Sequence, residues 1–310
     1  MDRLDGMRVL LAVADAGSLS AAARRLGIPL PTVSRKIAEL ESHLNARLLI
    51  RSTRSLALTD AGRSYVEAAR RILEQIEEAE RAAAGEYAAP RGDLVITAPL
   101  SFGRLHVTPV LAAFLAAYPQ IDVRLALTDR VVRLLEDHVD CAVRLGALPD
   151  SSLMATRLGE MRRVVCASPA YLDSRGTPIT PADLTSHASV TFDGLTSASV
   201  WSFADGDRQI SVAVHSRLAV SSAEAAVDAA IAGVGLTNVF AYQAATALAD
   251  GRLRIVLGDH EPPLAPVSLV HAGQGLMPLK LRAFLDFAAP RLRERLARVA
   301  DQTEASAVSS

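Results

Sequence analysis

Thr32, Ser34, Arg35 and Lys36 lie in a stretch, PLPTVSRKIAELESHL, whose apolar residues Val33, Ile37, Leu40 and Leu44 recur at helical spacing. The apolar set claims one face of a helix, so two hydroxyls and two cations are left on the other. Hydroxyls donate and accept hydrogen bonds, and cations meet phosphates or the acceptor edge of guanine. A second group of polar residues lies downstream at the ends of apolar, strand-like runs: Ser101, Thr128 and Thr191 offer hydroxyls, and Arg144 offers a fixed positive charge suited to a carboxylate. Each of these strand-end residues has a plainer use, since Ser and Thr often cap helices and Arg144 could pair with an acid such as Asp129. Both groups point to recognition rather than bond-making.

The residues that covalent chemistry would need do not assemble. GVGLTN, residues 233 to 238, begins like a dinucleotide loop but lacks the third glycine, and the chain has no phosphate-binding P-loop, no G-x-S-x-G elbow and no HExxH. The seven histidines are scattered, with no pair at metal-ligand spacing, and His260 beside Glu261 falls in GDHEPPLAP, which reads as an exposed connection. Cys141 and Cys166 are far apart, each inside an apolar run, which favours buried free thiols over a disulfide. No catalytic residue, cofactor or metal is therefore expected. Acids in the opening MDRLDGMRVL, where a secretory leader is basic, and the lack of any apolar run near the roughly 18 residues of a bilayer span predict a cytoplasmic chain without membrane contact.

The elements that must carry the first group can be read locally. Met7, Leu10, Leu11 and Ala14 mark an amphipathic helix stopped by Gly17; Ser18 caps a second, with Leu19, Ala22, Ala23 and Leu26 before Gly27. Pro29 and Pro31 break the chain and enter a third helix, which carries Thr32 to Leu44. Two short helices around a tight turn form a helix-turn-helix, whose second member fits the DNA major groove. RLLIRSTRSLALT, residues 47 to 59, reads as two short strands around a tip bearing Arg51 and Arg54, a wing able to meet the DNA backbone or minor groove. Residues 1 to 64 hold ten basic against six acidic side chains, while the whole chain is at −1, so the basic part stands on an acidic body, as a polyanion-binding module would. The DNA-facing set is Ser20, Pro29, Leu30, Pro31, Thr32, Ser34, Arg35, Lys36, Arg51 and Arg54.

From Asp60 a long helix follows, with Tyr65, Ala69, Ile72, Ile76, Ala79 and Ala83 in steps of four and three, a heptad seam that predicts pairing with a second copy. EYAAPRGD, residues 86 to 93, is the hinge. Beyond it, strand (94 to 101), helix, strand, helix through Glu136 and strand (DCAVRLG) predict a parallel α/β sheet, continued by strand-like VVCAS, ASVTF, GVGLTNVF, RLRIVLG and PVSLVHA, so the class is α/β. Ligands in such sheets sit beyond strand ends, which nominates Ser101, Phe102, Thr128, Arg144, Gly146, Thr191, Phe192, Ser221 and Asn238 for a small molecule.

LLAVADAGSLSAAARRLGIPLPTVSRKIAELESHLNARLLIRSTRSLALTDAG, with PRGDLVITAPLSFGRLHVTPVLAAFLAAYP, DCAVRLGALPDSSLMATRLG and CASPAYL, resembles the LysR-type transcriptional regulators over nearly the whole chain. The resemblance implies a winged helix-turn-helix (1–60), a dimerising linker helix (61–90) and an effector domain (91–300) of two lobes, about 91–160 with 266–300 and 161–265, shaped like a periplasmic binding protein. It also implies a homotetramer on dyad sites in double-stranded DNA, a small-molecule effector between the lobes and RNA polymerase as a further partner. Residues 301–310 read as a disordered tail. Where many members begin the recognition helix Ser-Gln-Pro, this chain has Pro29, Leu30 and Pro31, so Leu30 either meets a thymine methyl or packs on the second helix. Asn238 stands where members commonly carry Pro.

Overall fold

The computed structural model describes residues 2–51, 56–83, 89–130, 132–134, 136–148, 153–192, 200–206, 208–273 and 277–308. Two compact units divide it, Met1–Gly92 and Asp93–Ser310.

In the first unit, α1 (Arg3–Ala16), α2 (Leu19–Leu26) and α3 (Leu30–Leu44) close on one core, and a hairpin of β1 (Leu49–Arg51) and β2 (Leu56–Leu58) precedes α4 (Asp60–Ala83). Local chemistry sets each boundary. Ser18 Oγ accepts the Ala21 N–H at 3.1 Å to start α2, and Gly27 ends it in the left-handed region at φ +66°, a conformation that favours glycine. Val33, Ile37 and Leu40 are fully buried, packed with Val9, Leu10, Val13 and Ala22. Helix α3 starts at Leu30, earlier than Thr32, because proline suits the first turn. Thr59 Oγ1 accepts the Gly62 N–H at 2.8 Å and opens α4; a Cβ on Gly62 would meet the Leu48 carbonyl oxygen at 2.1 Å, so only glycine lets α4 approach there. Val66, Ala69 and Leu73 of α4 are buried, and α4 packs on α1. Ala69 thus serves this intramolecular face, while Ile72 remains 40% exposed.

The second unit holds β3 (Gly92–Ala98), α5 (Leu100–Phe102), a π-helical turn (Gly103–Val107), α6 (Thr108–Ala117), β4 (Ile121–Leu127), β5 (Cys141–Leu145), β6 (Leu153–Met161), β7 (Arg163–Ala167), α7 (Pro169–Arg175), β8 (Ala188–Thr191), β9 (Val200–Asp205), β10 (Arg208–Ala213), β11 (His215–Ala219), α8 (Ala223–Ile231), β12 (Leu236–Phe240), α9 (Ala241–Ala249), β13 (Arg254–Val256), β14 (Ala265–Ala272) and α10 (Leu279–Val308). The strands form two five-stranded sheets, β4-β3-β5-β14-β6 and β11-β8-β12-β7-β13, with β9 and β10 as a separate hairpin. Each sheet is mixed rather than parallel: β3 runs parallel to β5, but β14 returns from late in the chain to pair antiparallel with both β5 and β6, and β12 runs antiparallel to β7. Alternation along β7 divides its side chains between two cores, Val165 and Ala167 on one face, Val164 and Cys166 on the other.

Two further expectations fail. The segment 129–136 is turn rather than helix among its described residues, held by Asp137, whose carboxylate accepts the Arg133 N–H at 2.8 Å. Residues 301–308 continue α10 instead of forming a disordered tail; Gln, Glu and Ala favour helix, and extending a docked helix avoids the cost of nucleation. Leu100–Ala117 is an 18-residue helical run with mean hydropathy 1.4, enough by length and composition to cross a membrane. Its Phe102, Val107, Val110, Leu111 and Phe114 are instead buried in the core with Leu94, Ile96 and Phe284.

Candidate functional site

On the outer side of the helix-turn-helix, Arg35 has a 69% exposed side chain with Glu39 at 3.8 Å, and Thr32 and Ser34 are half-buried beside it. Ser20 is exposed at the start of α2, its Oγ 3.4 Å from that of Ser18. Pro29, Leu30 and Pro31 are all exposed, and Leu30 stands outside the packed core of the unit, so it does not serve as a core residue against α2. Lys36 departs from the expected role: its Nζ is ion-paired with Asp5 of α1, which ties the recognition helix down. The backbone of Arg51 ends β1, and Arg54 lies outside the described residues. Two positioning groups escaped the sequence reading. Glu41 Oε1 accepts the N–H groups of Leu48 and Leu49 at 2.7 and 3.1 Å, fastening the first wing strand to α3. Asp15 meets Arg25 of α2 at 3.6 Å and Arg70 of α4 at 2.8 Å.

The second unit has a cleft between its two sheets. One cavity of about 830 Å³ is lined by Thr128, Asp129, Arg144, Phe192, Phe240 and Tyr242 among others, and a neighbouring one of about 330 Å³ by Gly146, Thr191, Trp201 and Asn238. Leu145, Arg163, Phe192 and Phe240 belong to both walls. The Arg163 guanidinium lies 4.3 Å from the Phe240 ring centroid, and Phe240 stacks on Tyr242.

Arg144 donates to the Val132 carbonyl, and no carboxylate lies within ion-pair distance of it among the described residues; Asp129 instead accepts the Leu100 N–H at 3.0 Å. Burial lowers the Arg144 pKa, the direction in which a desolvated, uncompensated cation moves. Thr128 Oγ1 accepts the Arg130 N–H at 3.2 Å, and Thr191 Oγ1 lies 2.8 Å from Ser216 Oγ. Gly146 holds φ +99° in the wall of the smaller cavity, and Asn238, only 6% exposed, keeps an Oδ1 with no hydrogen-bond partner among the described residues.

Three of the nominated residues do not line either cavity. Phe102 is fully buried in the first-lobe core against His106 and Tyr242. Ser221 is exposed, and its neighbour Ser222 takes the capping role, accepting the Ala225 N–H at 3.3 Å. Ser101 donates to Glu224 Oε1 at 2.5 Å, joining the lobes, while Glu224 Oε2 is buried without a partner among the described residues. Tyr242, not singled out by the sequence, has a buried hydroxyl without a hydrogen-bond partner among the described residues; burial pushes its pKa up, and the carboxylates of Asp129 and Glu224 add to the shift. The one available signal for Arg163 was a charged pair, Arg162 and Arg163, interrupting an apolar run.

Burial raises both thiols, Cys166 to about 12, so neither is poised as a nucleophile. Among the described residues no cluster of three or more His, Cys, Asp or Glu could hold a metal ion.

Residues 4–63 match the family of bacterial regulatory helix-turn-helix proteins, lysR family, and residues 88–293 match the LysR substrate binding domain. An HTH-type transcriptional regulator of Xanthomonas campestris is 37% identical, covering 93% of this chain and 85% of its own length. An HTH-type transcriptional repressor of Pseudomonas aeruginosa is 34% identical over 93% of this chain and 91% of its own. CrgA, a LysR-type transcriptional regulator from Neisseria meningitidis, superimposes with a TM-score of 0.58 at 30% identity, covering 93% of this chain and 98% of that one. With both halves of the molecule so matched, the chain belongs to the LysR family of DNA-binding transcriptional regulators.

Proposed function

We propose that this regulator grips an inverted-repeat duplex as a homodimer joined through α4, two dimers forming a homotetramer, and that a small organic acid held between the lobes sets its regulatory state. The observation that carries the DNA reading is the outward face of α3, where Arg35 stands exposed beside Thr32 and Ser34 while Val33, Ile37 and Leu40 are fully buried. Ser20, Pro29, Leu30, Pro31, Thr32, Ser34 and Arg35 meet the major groove, and Arg51 and Arg54 of the wing meet the neighbouring backbone. Lys36, occupied by Asp5, positions the helix. On α4, Ile72 is 40% exposed and Ile76 half-buried beside the face already used by Val66 and Leu73, and this leftover stripe is the dimer seam.

Arg144 is the anchor for the effector's acidic group. A half-buried guanidinium facing a cavity of about 830 Å³ without a carboxylate partner among the described residues is compensated by an anionic ligand. Phe192, Phe240 and Tyr242 receive an apolar body, and Thr128, Gly146, Thr191 and Asn238 supply its remaining polar contacts. The chain acts by binding, without a catalytic step, in the cytoplasm where it meets DNA and RNA polymerase.

Fluorescence anisotropy across a salt series tests this. One duplex bound about a thousandfold more tightly than a scrambled one, with log affinity linear in log salt, is expected; equal and weak binding to every duplex offered refutes it.

A further inference from the structure

The start of α3 is chemically unusual. Pro29 is the residue before the helix, Leu30 the first helical residue and Pro31 the second. A helix start ordinarily presents a side-chain cap and several N–H donors. Here Pro29 makes no side-chain cap, neither proline has an N–H, and the N–H groups of Thr32 and Val33 are taken by the Pro29 carbonyl at 2.9 and 3.2 Å. Among these five residues, that leaves the Leu30 N–H without an acceptor among the described residues. This end of the helix therefore lacks the row of amides that would hold a phosphate, and its cap and first two residues, Pro29, Leu30 and Pro31, carry no polar side chain that would read a base edge.

What it presents instead is apolar and rigid. Leu30 is 44% exposed and lies outside the core formed by Val33, Ile37, Leu40 and their partners, and Leu26 at the end of α2 is 36% exposed. Residues at the start of a recognition helix are the ones that reach base edges. Among the groups displayed in the major groove, the one apolar projection is the C5-methyl of thymine. Prolines on both sides fix the backbone, so burying Leu30 against a methyl costs little additional chain entropy.

We propose that Leu30 is a specificity-determining residue that reads one thymine in each half-site through its methyl group. This rests on the DNA-binding reading above and deepens it by naming the base and the atom recognised. Arg35, Thr32 and Ser34 then supply the hydrogen-bonded and ionic part of the interface, and Leu30 the part that no hydrogen bond can supply.

The test needs no protein variant at first. The full-length chain selects duplexes from a random pool, and each thymine of a selected duplex is replaced in turn by deoxyuridine, which pairs in the same way and lacks only the methyl. One thymine per half-site should stand out, its replacement weakening binding about fourfold. Leu30→Ala should lose a similar factor on the thymine duplex and show no thymine–uracil difference there. Leu30→Gln should shift the selected base at that position towards adenine, which a glutamine amide can bond bidentately. A wild-type protein indifferent to uracil at every position overturns the proposal. So does a Leu30→Ala protein that keeps the wild-type thymine–uracil ratio, since the methyl is then read by another residue. Failure to enrich any sequence would overturn the DNA-binding reading itself; enrichment without methyl dependence would leave that reading standing and remove only Leu30's role.

Discussion

Removing the Glu41 carboxylate tests whether the wing is positioned by the recognition helix or merely follows it in sequence. Glu41 Oε1 takes the N–H groups of Leu48 and Leu49 at 2.7 and 3.1 Å, and those two residues are 1% and 4% exposed. In Glu41→Ala both amides lose their acceptor inside the protein. A hydrogen bond to a charged group contributes about 1.5 to 3 kcal/mol net; two bonds to one half-buried oxygen are not additive, so the combined loss is about 3 kcal/mol. That corresponds to roughly a hundredfold rise in the local opening equilibrium. Hydrogen exchange of the full-length protein reads this directly as about a hundredfold loss of protection at Leu48 and Leu49, with the amides of α8 unchanged. Glu41→Gln retains an oxygen but not the charge and should lose about tenfold. Operator binding should weaken in parallel in Glu41→Ala. Unchanged protection at both amides would refute the claim that this carboxylate holds the wing.

Replacing Ile72 and Ile76 together by Lys puts charge on the exposed stripe of α4 and should shift light-scattering mass to a smaller species; retention of the wild-type mass sinks the dimer seam. Arg144→Gln should abolish any melting-temperature rise that an organic acid gives the wild type, and a saturable rise that survives in the variant removes Arg144 as the anchor. His106 is held at about 4, first by burial and then by the Arg295 charge. A folded-state pKa below the unfolded one means that the unfolded chain binds more protons, so this contribution is complete above about pH 6.5 and is lost as pH falls towards 4. Allowing for partial solvent screening, His106→Gln should spare about 2 kcal/mol of acid destabilisation, and parallel stability profiles for variant and wild type would contradict it. Leu30→Ala, by contrast, should alter base preference and leave stability unchanged, because the side chain is exposed and outside the core.

Features set by neighbours in the chain were legible in the sequence. Ser18, Gly27 and the prolines at 29 and 31 mark the ends of α2 and α3 by local hydrogen bonding and backbone restriction, and the apolar spacing of Val33, Ile37 and Leu40 identifies their face. Features set by distant pairing were not. The order strand, helix, strand suggested a parallel sheet, yet β14 inserts antiparallel between β5 and β6 from over a hundred residues away, a choice invisible to any local window. Likewise Lys36 reads as a DNA contact in the sequence, whereas in the fold it pairs with Asp5 of another helix. Ser101 looked like a ligand contact, and its partner Glu224 comes from the other lobe. Arg163, Phe240 and Tyr242 become one wall only when β7, β12 and α9 meet.

The chain passes between the lobes twice, at Arg162 between β6 and β7 and again along the segment from β13 to β14 that contains Glu261. Arg162 and Glu261 join these two passages by a bidentate ion pair, at 2.5 Å and 2.7 Å. Two separate tethers would let the lobes slide and twist independently. Bolted together, the two passages are held at one fixed spacing, and the Ser101–Glu224 hydrogen bond ties the lobes at a second place. The side chains that line the cleft do not include Arg162 or Glu261, so the walls can change in size and charge while this clasp between the passages stays as it is.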